Sequence, residues 1–216
     1  MVTVRGSDWS VEARLRSGRL ACWCGGRLRP WGKARPRLVV TFAGPAVVQP
    51  RRGICAGCGR THVLLPSWLL SRRKYAAPVV FAALALRAAG LKVAAVAARL
   101  RLPSPGGAWW SVPASTASSW LARFAGRAGR LRQAFLAVLP LADPQARPVR
   151  PAGSPSGNAL AVLEAVTAGL RARFGLDGLA GHEVAAHLTG GLLLAPPMPA
   201  VAGNTTWFAV DAVSSS

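Results

Sequence analysis

Four cysteines in two close pairs constrain the fold of this chain more than any other feature. Cys22 and Cys24 form the first pair and Cys55 and Cys58 the second, and the 216-residue sequence has no other cysteine. In a reducing compartment, two thiol clusters of this kind favour a zinc site over disulfides. Zinc takes four thiolates in a tetrahedron, and two short knuckles joined by a hairpin supply them. The sequence therefore predicts a zinc ribbon with a structural Zn²⁺; unligated core cysteines and redox thiols are the less favoured alternatives.

The segment between the two pairs has the pattern of a hairpin. Two β-branched runs flank the turn signal Ala43–Gly44–Pro45. The first pair has one intervening residue instead of the usual two, so two ligand sets stay open: all four cysteines, or His62 in place of Cys22 or Cys24. Because four protein ligands leave no position for water, the metal is expected to be structural and not catalytic.

The distribution of charge indicates a polyanionic partner. Residues 13–142 contain no Asp or Glu, and they hold all but five of the 27 lysines and arginines. Arginines that neutralise phosphates release condensed counterions and gain affinity, so nucleic acid is the first candidate. A compositional bias of the coding sequence is the alternative explanation, but such a bias would also be expected to raise Asp and Glu.

Helical periodicity follows the ribbon. Pro78 suits the first turn of a helix that runs to about residue 89, with Val80, Leu84 and Ala88 on one face. A second helix is expected over 91–100. A third begins near Ala114 and either continues past residue 132 or breaks at Gly126 or Gly129.

The predicted fold class is mainly α with a small β zinc ribbon. The predicted organisation is an N-terminal arm at 1–20, a zinc ribbon at 21–65, a helix-turn-helix domain at 72–140, a linker at 141–157, C-terminal helices at 158–192 and an irregular tail at 193–216.

The second and third helices have the pattern of a helix-turn-helix, with Ser115 and Thr116 opening the recognition helix. The turn between them, at 101–111, is about ten residues longer than the usual short turn. This insertion forms either a wing or an interruption that disables the motif. The candidate DNA-contacting residues are Arg99, Arg101, Ser115, Thr116, Ser118, Ser119, Arg123, Arg127 and Arg130. The recognition helix offers only Ala114, Ser115, Ser118 and Ser119 where base-reading helices often have Arg, Asn or Gln, so weak base specificity is expected. The alternative is an Ala-rich core with solvated arginines.

Three stretches support a family resemblance: CGGRLRPWG, CAGCGRTHVLLPSWLLSRRKY and VPASTASSWLARF. They resemble an actinobacterial family of zinc-ribbon plus helix-turn-helix proteins of unassigned function. More distantly, they are similar to the N-terminal DNA-binding part of insertion-sequence transposases. The resemblance spans about residues 20–135 and extends through LTGGLLL to the C-terminal helices. It implies a DNA-binding architecture built from the ribbon and the helix-turn-helix.

Catalytic patterns are not evident, and a non-enzymatic protein without a small-molecule substrate is expected. The carboxylates after residue 142 are scattered over a linker, helices and a tail, unlike the three that a nuclease gathers around Mg²⁺. The stretch HEVAAH, at His182–His187, is one residue longer than the zinc-protease motif, so its histidines diverge on a helix.

The leading hypothesis is a cytoplasmic protein that binds double-stranded DNA, either a regulator or a factor derived from a transposase. No apolar run approaches the roughly 20 residues that span a bilayer, and the N-terminus lacks the apolar stretch of a signal peptide. The nearly neutral C-terminal helices suit a homodimer. The alternatives are an RNA- or ribosome-associated zinc-ribbon protein and a decayed mobile-element remnant.

Overall fold

The computed structural model describes residues 1–104 and 106–195. The strands in these residues are β1 (Val2–Val4), β2 (Leu28–Lys33), β3 (Arg37–Thr41), β4 (Gly44–Val48), β5 (Arg51–Cys55), β6 (Thr61–Pro66), β7 (Arg101–Pro103) and β8 (Trp109–Ser111). The helices are α1 (Asp8–Arg16), α2 (Ala77–Ala88), α3 (Val93–Arg99), α4 (Ala114–Ala125), α5 (Ala128–Ala142), α6 (Pro155–Phe174) and α7 (Gly181–Leu188).

A four-stranded mixed sheet forms the N-terminal part, in the order β1-β6-β5-β2. β1 is parallel to β6, and the other neighbours are antiparallel. α1 covers one face of this sheet, where Leu15 is buried with Leu28 in a small apolar cluster. Residues 1–20, expected to be an arm, thus supply both an edge strand and a covering helix. Ser7 caps α1 by accepting a hydrogen bond from the Ser10 N–H at 3.3 Å.

Residues 28–55 form one long antiparallel hairpin with a bend, which we call the bent arm. Its base is the β2–β5 pair and its outer part the β3–β4 pair. The Ala34 N–H donates to the Pro50 carbonyl at 2.8 Å and bridges the bend. The outer strands end at the Thr41–Gly44 pair, so the predicted hairpin is present, with its turn at Phe42 and Ala43 and with Gly44 and Pro45 already in β4. At this tip, Gly44 lies close to Pro103 of β7.

Helices α2, α3 and α4 pack together after the sheet. Tyr75, just before α2, has its ring centroid 4.9 Å from that of Trp120 on α4 and 6.1 Å from that of Trp110 on β8. Val80 and Leu84 of α2 are buried as expected, whereas Ala88 is exposed. The insertion at 101–111 is a two-stranded hairpin, β7–β8, with Leu102 opposite Trp110. The third predicted helix is broken at Gly126, which separates α4 from α5.

The C-terminal helices pack against the rest of the chain. α6 lies along α5, and Val162, Leu163 and Val166 of α6 are buried in the same core as α2, α3 and α4. α7 contacts the N-terminal strand, where the Thr3 hydroxyl donates to the Ala186 carbonyl at 3.2 Å. The apolar faces expected to support a dimer are therefore buried within the chain. Of the predicted tail, residues 196–216 lie outside the described residues.

The prediction of a mainly α fold with one small β ribbon is wrong. Of the described residues, 43% are helical and 21% are in strands, arranged as a four-stranded mixed sheet and two two-stranded sheets. The additional strand content comes from segments predicted as irregular. β1 arises from the predicted arm and β7–β8 from the predicted insertion, because both pair with partners that local periodicity does not reveal.

Candidate metal centre and nucleic-acid interface

Two tight turns position the cysteines at one end of the sheet. In the first, the Cys22 N–H donates to the Gly26 carbonyl at 2.8 Å. In the second, the Cys55 N–H donates to the Arg60 carbonyl at 2.9 Å and the Gly59 N–H to the Cys55 carbonyl at 3.0 Å. Leu28 of β2 is paired with Cys55 of β5, so the base of the bent arm holds the two turns side by side.

The four cysteine sulfurs lie close together and are compatible with a metal site. All of them lie within 4.8 Å of one another. The Sγ atoms of Cys22 and Cys58 are 3.7 Å apart, and those of Cys24 and Cys55 are 3.5 Å apart. A tetrahedral ion with metal–sulfur bonds of about 2.3 Å requires sulfurs about 3.8 Å apart. The donor set therefore has the dimensions of a four-thiolate centre, and all four predicted ligands come together.

The two buried thiols differ in their electrostatic surroundings. Two backbone N–H groups point at Cys55 Sγ, from Gly57 at 3.3 Å and from Cys58 at 3.4 Å. The N–H of Cys58, followed by that of Gly57, lowers the pKa of the Cys55 thiol to about 6. Burial raises the pKa of the Cys22 thiol to about 12. This burial disfavours the charged thiolate form of Cys22. A bound metal cation would offset that cost, because a thiol that coordinates a metal ion is deprotonated.

His62 lies beside the cysteine cluster. Its Nε2 atom is 3.2 Å from Cys22 Sγ, and its Nδ1 atom is 3.4 Å from the Met1 amino group. Burial, the charged N-terminus and Arg60 lower the pKa of His62. Because the four sulfurs alone are enough donors for a tetrahedral ion and His62 is not part of this group, the arrangement favours a neutral imidazole that contacts a ligand over one that replaces it.

Glycines let the two turns approach each other. A Cβ atom built on Gly26 would lie 2.7 Å from Cys55 Sγ and 3.0 Å from the Gly57 nitrogen. A Cβ atom built on Gly57 would meet only ordinary contacts, the nearest being Gly26 Cα at 3.6 Å. The close approach of Gly26 to Cys55 was not predicted from the sequence. The signal for it was present, because two glycines follow Cys24 directly.

Most of the candidate DNA-contacting residues lie on the surface of α3, α4 and the β7–β8 hairpin. The exposed ones are Arg99, Arg101, Ser115, Ser118, Arg123 and Arg130, and the half-buried ones are Thr116 and Ser119. The Arg123 Nε–H donates to the Ser119 hydroxyl at 3.3 Å along the outer side of α4. Arg73, in the segment before α2, lies near enough for the charge of Arg123 to add to the desolvation that lowers its pKa.

Arg127 does not lie on that surface. It is 8% exposed, and among the described residues its Nε and Nη1 atoms have no hydrogen-bond partner. Burial and the nearby Arg130 lower its pKa. The break between α4 and α5 turns this side chain inward, which the continuous helical pattern of the sequence did not indicate. A direct phosphate contact is therefore better assigned to its exposed neighbours.

Two hairpins extend this surface beside α4. Trp109 on β8 is 59% exposed, whereas Trp110 contacts Tyr75. Arg101 pairs with Ser111 across the β7–β8 hairpin, and both are exposed. Phe42, in the turn of the bent arm, is 47% exposed near the same hairpin. The insertion thus adds aromatic and cationic groups next to the predicted recognition helix.

Within residues 1–104 and 106–195, every helix falls short of the combined length and apolarity needed to cross a bilayer. Comparisons with protein-family models, with curated proteins and with solved structures found no match to this chain.

Proposed function

We propose that this protein is a non-catalytic DNA-binding protein in which a structural Zn²⁺ holds the ribbon and α4 enters the major groove. The observation that supports this most is the exposed side of α4. It presents small side chains flanked by arginines, within a 130-residue stretch without carboxylates. The transposase-like or regulator-like role implied by the sequence resemblance belongs to the same proposal.

Zinc is the proposed ion because of the donor set. Four thiolates in a tetrahedron suit zinc better than the oxygen-seeking Mg²⁺ or Ca²⁺. Substitution with Co²⁺ tests this, since its absorption spectrum distinguishes four sulfur ligands from three sulfurs and one nitrogen. We expect a four-sulfur spectrum that persists in His62→Ala and changes in Cys24→Ser. A spectrum that changes in His62→Ala but not in Cys24→Ser would contradict the four-thiolate assignment.

The proposed docking of α4 rests on its size and polarity. Ser115, Ser118 and Ala122 lie on its exposed side, so the helix backbone can approach the floor of the groove closely. No acidic residue lies in its first turn, and no side chain caps its N-terminus. Its first N–H groups are therefore available to a phosphate, which the helix dipole also attracts.

Salt dependence of duplex binding is the direct test. The four exposed arginines among the candidates, Arg99, Arg101, Arg123 and Arg130, predict a slope of log K against log salt of about −3.6. Affinity should then fall about 150-fold between 50 and 200 mM salt. Fluorescence anisotropy with a labelled duplex measures the slope. A metal-loaded protein that does not bind duplex DNA at 50 mM salt would refute the proposal.

RNA binding is the second candidate, and one observation favours it. Near its N-terminus, the exposed side of α4 has none of the Asn, Gln or Arg side chains that commonly read base edges. Such a helix suits recognition of shape and backbone, which is how proteins bind double-stranded RNA. A matched RNA duplex, titrated in the same assay, separates the two. A preference of tenfold or more for RNA would replace the DNA assignment.

A further inference from the structure

The outer edge of the four-stranded sheet is strongly cationic, and it is formed by β2, not by α4. β2 is the edge strand of the four-stranded sheet. Four basic residues on and around it are exposed: Arg27, Arg29, Lys33 and Arg35. They recur at every second position except for Trp31, which lies between Arg29 and Lys33 in sequence. The register shift after Pro30 places Lys33 opposite Arg51, on the face of Leu28 and Pro30, so Arg29 and Lys33 lie on opposite faces of this edge strand. We call residues 27–35 the β2 edge.

Two tryptophans are exposed at this edge. Trp31 is 54% exposed on β2, and Trp23 is 53% exposed in the turn that precedes it. In the helix-turn-helix core, by contrast, Trp120 is only 3% exposed. Leaving a large apolar ring in water forgoes the free energy of burying it, about 2–3 kcal/mol for a side chain of this class. Exposed aromatic rings set between cations are the arrangement that nucleic-acid-binding surfaces use.

The same edge is unsuited to another β-strand. Pro30 and Pro36 have no N–H group to donate to a neighbouring strand. Between Pro30 and Lys33 the register with β5 shifts, and Gly32 adopts a left-handed backbone with φ of 86°. Prolines, a bulge and a lysine are the features that block strand addition at an open edge. A second copy of the chain or an extended peptide is therefore not the fitting occupant.

The positive charge of the β2 edge and the exposed ring of Trp31 together indicate what binds there. We infer that the β2 edge binds single-stranded nucleic acid, with phosphates on Arg27 and Arg29 and an unpaired base stacked on Trp31, which precedes the register shift. Bases in a duplex are already stacked on each other, so an exposed indole gains most from unpaired bases. The two arginines supply affinity along the backbone without sequence preference. This site is separate from α4, and the inference does not depend on duplex binding there.

The experiment compares single-site variants of the metal-loaded full chain. A labelled oligodeoxythymidylate and a labelled duplex are titrated by anisotropy at the same salt concentration. Trp31→Ala should weaken binding of the single strand about 5- to 150-fold, the loss from removing one base–aromatic stack. Trp31→Phe, which keeps an aromatic ring, should retain most of the affinity. Duplex affinity should stay within twofold in both variants.

A matched control is available on α1. Trp9 is 80% exposed but lies beside Asp8 and one turn from Glu12, so Trp9→Ala should leave single-strand affinity unchanged. Equal single-strand affinity of Trp31→Ala, Trp31→Phe and the unaltered protein would overturn the inference. Equal losses on the two DNAs in Trp31→Ala would overturn it as well. Either result leaves the proposal for α4 standing, because Arg123→Ala tests that surface with the duplex alone.

Discussion

The substitution Gly26→Ala tests the packing of the metal centre most directly. Its new methyl group would lie 2.7 Å from Cys55 Sγ, about 1 Å closer than an ordinary carbon–sulfur contact. Cys55 Sγ cannot move away freely, because it accepts two backbone hydrogen bonds and lies 3.5 Å from Cys24 Sγ. The displacement needed is several times the roughly 0.2 Å tolerance of a metal–ligand distance.

The magnitude follows from the cost of overpacking. One added methyl group in a well-packed site costs about 1–3 kcal/mol. If this strain acts on the metal-bound state, the affinity for Zn²⁺ should fall about 5- to 150-fold. Competition with a chromophoric chelator measures that affinity directly. Unfolding in urea should report a loss of stability that is larger with metal than without it.

Gly57→Ala is the matched control for this experiment. It lies in the facing turn, and its Cβ atom would meet nothing closer than 3.6 Å, so its affinity for Zn²⁺ should stay within about threefold of the unaltered protein. The reasoning would be refuted if Gly26→Ala bound Zn²⁺ as tightly as Gly57→Ala. That result would mean that the two turns do not pack against each other around the four sulfurs.

Three further predictions concern the helices. Arg123→Ala should reduce the salt slope of duplex binding by about 0.9, whereas Arg147→Ala, an exposed arginine in the nearly neutral C-terminal part, should leave it unchanged. Trp120→Ala should lower the free energy of unfolding by about 3–5 kcal/mol because it empties a core position, whereas Trp109→Ala should weaken duplex binding without lowering the melting temperature. Desolvation, followed by the charges of Arg14 and Arg5, lowers the pKa of His187 to about 3. Between about pH 6.5 and 3, the unfolded chain therefore binds a proton at His187 that the folded chain does not. Below pH 6 the unaltered protein should therefore lose about 1.4 kcal/mol of stability per pH unit more than His187→Gln, and equal slopes in urea unfolding would contradict this.

The metal centre could be predicted because its information is local. The two pairs of cysteines and the turn signal at Ala43–Gly44–Pro45 lie within the segment that they organise. The structure confirms that the four sulfurs come together and that a hairpin joins the two pairs, with its turn one residue earlier, at Phe42 and Ala43. The identity of the ion and the DNA partner stay predictions, since neither proximity nor charge alone determines them.

The strands that sequence reasoning missed depend on distant partners. Val2–Val4 is too short to show alternation, and its strand exists because it pairs with residues 64–66 of β6. β7 and β8 flank a proline- and glycine-rich segment that is typical of an irregular loop. Their pairing is stabilised by Leu102 and Trp110, which pack against the Tyr75 side of the core. Such strands form through tertiary contacts, which override local propensity.

The helices were easier to place than the orientations of their side chains. The break at Gly126 was one of the two positions left open, but its consequence for Arg127 was not visible in the sequence. The sequence does not show whether an arginine is solvated or buried. For Arg127, this depends on the angle between α4 and α5. The basic residues at 27–35 were not singled out from the sequence, because their meaning depends on β2 being an edge strand among the described residues.

The bent arm connects the metal centre to the surface proposed for DNA. Its base holds Cys55 opposite Leu28, and its tip lies against Pro103 of the β7–β8 hairpin. The apolar cluster around its base has eight buried residues, two of which are cysteines, so that end has too small a core to fold firmly without an ion. Helices α2, α3 and α4 share a much larger core with α5, α6 and α7. Metal removal should therefore abolish single-strand binding at the β2 edge, while α4 keeps most of its affinity for duplex DNA. A loss of both activities together would show that the bent arm also orders the β7–β8 hairpin.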